Sequence, residues 1–125
     1  MVTELAVRGE SIYWVAFDSR VTLKTSGGVD FHISGPFSVK SPTGVIAELF
    51  MGHGAMSCAP AISLLWKQIS TACILDDGRL EIAFADGAEI AVPASLDLEA
   101  WEIQGEETFS AVVSMIGGEV AYWDR

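Results

Sequence analysis

Basic residues are scarce in this chain: seven lysines and arginines stand against seventeen aspartates and glutamates in 125 residues, and the formal net charge is −10. Nucleic-acid phosphates and anionic membrane surfaces repel such a polyanion, so neither is expected as a partner. Long apolar runs are lacking too. Glu4, Arg8, Glu10 and Asp18 interrupt the first twenty residues, which argues against a signal peptide, and no later stretch approaches the roughly eighteen apolar residues of a membrane helix. A soluble, cytoplasmic protein is the expectation. Cys58 and Cys73 are the only cysteines, read as buried small hydrophobes in a reducing compartment. His32 and His53 are the only histidines, and no H-x-x-x-H or C-x-x-C spacing occurs, so neither a metal nor a cofactor is expected.

Apolar residues are plentiful: half the chain is hydrophobic and only 19% is charged, enough for one packed domain over residues 1–125. The charge is unevenly spread. Residues 1–62 hold Glu4, Glu10, Asp18, Asp30 and Glu48 against Arg8, Arg20, Lys24 and Lys40, while residues 63–125 hold twelve acids against Lys67, Arg79 and Arg125.

A shift of 59 positions superposes two segments. Asp18, Arg20 and Gly28 fall on Asp77, Arg79 and Gly87, and Val21, Leu23, Phe31 and Ile33 fall on Leu80, Ile82, Ile90 and Val92. In the second copy Leu80, Ile82 and Phe84 alternate with Glu81, Ala83 and Ala85, the period of a strand with one buried face. Asp86-Gly87 turns the chain, and Ile90 and Val92 return until Pro93. Further strands are expected at 71–75, 100–104, 108–115 and 120–123, and in the first copy at 11–17, 20–25, 29–34, 37–40 and 45–50. One short helix near 59–68 joins the copies, with Pro60 in its first turn, Ser57 as cap, and Ile62, Leu64, Leu65 and Trp66 as its buried face. The fold class is therefore mostly β with one central helix: two related antiparallel meander halves, roughly 11–50 and 70–115, forming a sandwich or an open barrel.

No constellation for catalysis stands out. The adjacent pairs Asp76-Asp77 and Glu106-Glu107 sit in turns where water keeps both members ionised. Gly27-Gly28 and Gly117-Gly118 lack the lysine or following helix that a phosphate loop needs. His32, between Phe31 and Ile33, reads as a solvent-face strand residue. The loop Met51, Gly52, His53, Gly54, Ala55, Met56 is glycine-rich yet apolar, and is either a buried crossover beneath the helix or an adaptable contact loop through Met51, His53 and Met56. Trp101 alternates with Ile103 and points inward, or anchors a partner, while Glu99, Glu102, Glu106 and Glu107 line an exposed rim with Asp76, Asp77 and Asp97.

The run from Asp77-Gly78 to Val92-Pro93, followed by Glu99-Ala100-Trp101-Glu102-Ile103 and preceded by the step Gly35-Pro36-Phe37, resembles an uncharacterised family of small actinobacterial proteins, a domain of unknown function. The resemblance spans nearly the whole chain and carries over no catalytic residue. In size and charge such acidic families are similar to immunity proteins of polymorphic toxins. The expected function is thus a non-enzymatic inhibitor of immunity or antitoxin type that binds a basic protein, such as a cognate toxin, through the acidic second half. The alternatives are a small-ligand barrel with an apolar cavity near the Met51–Met56 loop, and a structural module that pairs strand edges as a homodimer.

Overall fold

The computed structural model describes residues 2–106 and 109–124. The expected strands are present, with β1 (Thr3–Glu4) added at the start. The first half supplies β2 (Ile12–Phe17), β3 (Val21–Thr25), β4 (Asp30–Ile33), β5 (Phe37–Lys40) and β6 (Ile46–Leu49). The second supplies β7 (Ile69–Ile74), β8 (Leu80–Phe84), β9 (Glu89–Val92), β10 (Trp101–Gln104), β11 (Phe109–Ser114) and β12 (Val120–Asp124). Two antiparallel six-stranded sheets result, in the orders β1-β7-β8-β9-β5-β6 and β12-β11-β10-β4-β3-β2. They stack as a sandwich and do not close, so the open-barrel alternative is set aside.

Each half is divided between both sheets. At Gly35-Pro36 the chain leaves β4, crosses over, and lays β5 against β9, with Val39 opposite Ile90. Past Pro93 it makes the reciprocal crossing and lays β10 against β4, with Trp101 opposite Ile33 and Ile103 opposite Phe31. Proline cannot donate to a ladder, so each crossing falls where pairing must stop. The two halves are therefore intertwined, and the core they enclose is common to both. Val21, Leu23, Phe31, Ile33, Trp101, Ile103 and Val112 face Ile74, Leu80, Ile82, Phe84, Ile90 and Val92 across it, all buried.

The pseudo-repeat extends to an irregularity that periodicity alone did not reveal. β2 carries a bulge between Ile12 and Trp14, and β7 one between Ile69 and Thr71. Each bulge lets two residues three apart, Ile12 with Val15 and Ile69 with Ala72, turn toward the same core. The starts of these two strands meet, with Ser11 bridged to Gln68 and the Ile69 N–H donating to the Glu10 carbonyl at 2.8 Å.

The expected central helix is present, but it winds as 3-10 helix and starts earlier. It comprises two 3-10 helices, Met51–His53 and Ala55–Leu64, held by bonds such as Ser57 N–H to Gly54 O at 3.1 Å. Pro60 has no N–H to give an α-helical ladder, and the Ser57 hydroxyl donates to the carbonyls of Phe50 and Gly54 instead of capping an N–H. With three residues per turn the buried stripe is Cys58, Ala61 and Leu64. Ile62 and Trp66 fall off that stripe, and Trp66, expected in the core, is 74% exposed. Among the described residues no helix is long and apolar enough to cross a membrane.

Trp101 is the largest fully buried side chain, and its indole N–H donates to the Gly78 carbonyl at 2.9 Å. Trp101→Ala is expected to cost about 3–5 kcal/mol, and Trp101→Phe, which strands that carbonyl while keeping most of the apolar bulk, about 1–2 kcal/mol. Urea unfolding midpoints at unchanged slope measure both.

Candidate functional site

The acidic residues singled out in the sequence separate into three groups. Along β10, Trp101 and Ile103 point inward while Glu102 and Gln104 stand on the outer face. There Glu102 meets the Arg20 guanidinium at 3.4 Å and accepts a hydrogen bond from the Gln104 amide. His32 Nε2 lies 3.3 Å from Gln104 Oε1, and His32 Nδ1 lies 3.0 Å from the Thr22 hydroxyl. His32 is thus on the outer face as its alternation requires, but it is only 8% exposed, because Thr22 and Gln104 cover it from the neighbouring strands. Glu102 belongs to this cross-strand network and not to an open rim.

Glu106 overturns the rim reading outright. It is 1% exposed, and its Oε2 accepts the Ala6 N–H at 3.0 Å, tying the start of the chain to the end of β10. A carboxylate that accepts backbone N–H bonds is tolerated in the interior because it satisfies donors that would otherwise be stranded. Glu107 lies outside the described residues.

Asp76, Asp77 and Asp97 remain exposed and are brought to one corner, with Glu99 exposed on the same crossover. Three turns lock there. Gly78, at φ +86°, lies so close to the turn after β11 that a Cβ would come within 2.4 Å of the Gly118 carbonyl oxygen. The Gly117 N–H donates to the Ser95 carbonyl at 2.8 Å, and the Ser95 hydroxyl accepts the N–H groups of Asp97 and Leu98 at 3.0 and 3.3 Å. Trp101 is the buried post beneath them, 1% exposed and bonded to Gly78.

Apolar side chains emerge among the carboxylates. Leu96, on the crossover, is 83% exposed, and Met115 and Ile116, in the turn that precedes Glu119, are exposed as well. These residues were missed in the sequence. Their signal is an apolar residue inside a turn, Ser95-Leu96-Asp97 and Met115-Ile116-Gly117, where no strand face exists to bury it. Beside the corner runs a cleft of about 580 Å³ lined by Thr3, Ile74, Leu75, Asp76, Gly118, Glu119, Val120 and Tyr122.

The Met51–Met56 loop satisfies neither of its two readings as a whole. Met51 packs against the core, whereas Met56 is 86% exposed and His53 is exposed, edge-on to the Phe50 ring at 5.0 Å. The hollow lined by Pro36, Glu48, Leu49, Phe50 and His53 measures about 120 Å³. Small-molecule sites usually occupy about 300–1,000 Å³, and this hollow is smaller. Trp66 adopts φ +70°, held by its N–H bond to the Ile12 carbonyl at 2.6 Å, a conformation that costs a bulky residue roughly 1–2 kcal/mol. Among the described residues no group of three or more His, Cys, Asp or Glu could hold a metal ion.

A family profile described as a family of unknown function, DUF6188, matches residues 3–124. No curated protein and no solved structure matches the chain.

The two thiols differ in environment. Cys58 is buried, while Cys73 lies on the outer face of its sheet, where partial burial first and then the carboxylates of Glu4 and Glu81 push its pKa up. A raised pKa lowers the thiolate fraction at any given pH, so Cys73 is expected to react with iodoacetamide at pH 8 more slowly than a free cysteine. The pH–rate midpoint should lie above the ordinary thiol value and move down in Glu81→Gln. Cys58 should react only after unfolding. Mass spectrometry of alkylated peptides over time reads all three.

Proposed function

The chain belongs to the DUF6188 family, and we propose that it is a non-catalytic, cytoplasmic protein-binding module that docks a basic partner on the corner formed by the turns at 76–78, 94–98 and 115–118. The observation that carries this reading is the composition of that corner: its three turns expose Leu96, Met115 and Ile116 together with Asp76, Asp77, Asp97 and Glu119. Docking surfaces combine a small apolar centre with a polar rim, and the apolar centre supplies most of the affinity once water is excluded. The carboxylates contribute mainly orientation and on-rate, by steering a positively charged surface toward the corner. The adjoining cleft offers room for a side chain of the partner, with Ile74, Leu75 and Val120 to take an aliphatic stem and Glu119 at its rim.

Rigidity favours the same reading. The corner is fixed by the Trp101–Gly78 bond and by the close approach of Gly78 to Gly118, so little ordering entropy opposes association. In its most concrete form the module is an inhibitor of immunity type, which covers the basic active surface of a toxin with carboxylates.

The size of the cleft supports a second reading, a small ligand held between the sheet edges, since about 580 Å³ lies within the usual range of ligand sites. Native mass spectrometry of the purified protein separates the two, because a co-purifying small molecule supports only the second.

For the first reading, a basic protein captured by the wild type should be lost with Leu96→Asp and Ile116→Asp, which leave the core untouched. Its association rate should fall about tenfold or more between roughly 50 and 500 mM salt. Equal capture by wild type and both variants, or an association rate indifferent to salt, would refute the docking corner.

A further inference from the structure

We propose that the outer edge of β2 is a homodimer interface, in which two copies pair their β2 strands antiparallel across a two-fold axis. β2 is the terminal strand of its sheet, and Ile12 alone is covered on that side, its carbonyl accepting the Trp66 N–H and its N–H donating to the Lys67 carbonyl. From Trp14 to Phe17 the register with β3 is regular, because the bulge lies before Trp14, and no strand pairs with the other side among the described residues. An unpaired edge is a template for another strand, and proteins ordinarily blunt it with charge, proline or extreme shortness.

The other three edges carry such protection. β1 is two residues long and bears Glu4, ion-paired to Arg8 at 3.2 Å; β6 bears Glu48; β12 begins beside the exposed Glu119 at the acidic corner. β2 reads Ile-Tyr-Trp-Val-Ala-Phe and has no charge anywhere. Its exposed groups are also large and apolar: Tyr13, Trp14, and Trp66 at the covered end, with the 3-10 helix that bears exposed Ile62 packed alongside.

Charge selects a second copy as the occupant. Two chains of net charge −10 repel, and a two-fold contact repeats every unpaired charge on both sides, so an uncharged patch is where two copies meet without added repulsion. An uncharged strand paired with itself meets that condition, and antiparallel pairing about a two-fold is self-complementary by construction. The acidic corner, by contrast, would meet its own image with repulsion. It borders β12, at the opposite edge of the same sheet and five strand spacings, about 24 Å, from β2. Pairing through β2 therefore leaves both corners of the dimer open.

The two contacts have opposite salt dependence. Screening weakens attraction between the acidic corner and a basic partner, but it relieves repulsion between copies, so the dimer should tighten as salt rises. Sedimentation velocity over a concentration series is expected to show the wild type moving from monomer to dimer, at lower protein concentration in high salt. Trp14→Lys and Ala16→Lys should remain monomeric at concentrations at least about tenfold higher, with unchanged circular dichroism, whereas Leu96→Asp should dimerise as the wild type does. Amide exchange in the wild type should slow at Trp14–Phe17 as concentration rises, a readout that stands even if a variant folds poorly. A wild type that stays monomeric throughout, or a dimer without concentration-dependent protection at Trp14–Phe17, overturns the proposal.

Discussion

One hydrogen bond joins the core of this protein to its exposed corner: the Trp101 indole N–H on the Gly78 carbonyl. Indole carries its donor at the edge of a large apolar ring, so burying the ring requires an acceptor at a defined place. The turn after β7 supplies it. With Gly78 held there, the turn approaches Gly118 so closely that no side chain fits at position 78, and Gly117 in turn ties the β9–β10 crossover through Ser95. Three segments distant in sequence become one surface because one tryptophan is buried beneath them.

The exchange of strands between the halves has a similar reach. Since β5 belongs to the sheet of β7–β9, and β10–β12 to the sheet of β2–β4, neither half possesses a complete core. Folding should accordingly be cooperative across the whole chain, with long-range pairings such as β4 with β10 and β5 with β9 setting its pace. The Glu106–Ala6 bond adds a tie between the start of the chain and the end of β10. The asymmetry of charge then reads differently: the acids of the second half are not one surface, since Glu102 enters a network with Arg20, Gln104 and His32, Glu106 is buried, Asp86 pairs with Lys67 at the far end of β8, and Asp76, Asp77 and Asp97 collect at the corner.

Much of the fold was legible because a strand with one buried face must alternate, and Leu80 to Phe84 and Ile90 to Val92 do so between turns that admit little else. The inward orientation of Trp101 followed from the same rule. The connector was misread for an equally physical reason: Pro60 was placed in the first turn of an α-helix, whereas the segment winds with three residues per turn, which moves the buried stripe to Cys58, Ala61 and Leu64 and expels Trp66. Glu106 was misread because its acceptor role depends on an N–H one hundred residues away, which no local pattern encodes.

What the sequence determined by itself was local: where strands begin and end, which of their faces is apolar, where glycine permits a turn, and that the second half is acidic. Each follows from the conformational and solvation preferences of a few neighbouring residues. The tertiary structure alone decided that each half is shared between two sheets, that β2 is left as an uncharged edge, and that Leu96 and Ile116 surface beside Asp76, Asp77 and Asp97. Those outcomes turn on pairings between distant segments, whose free energy comes from the common core and not from the residues at the surface they create.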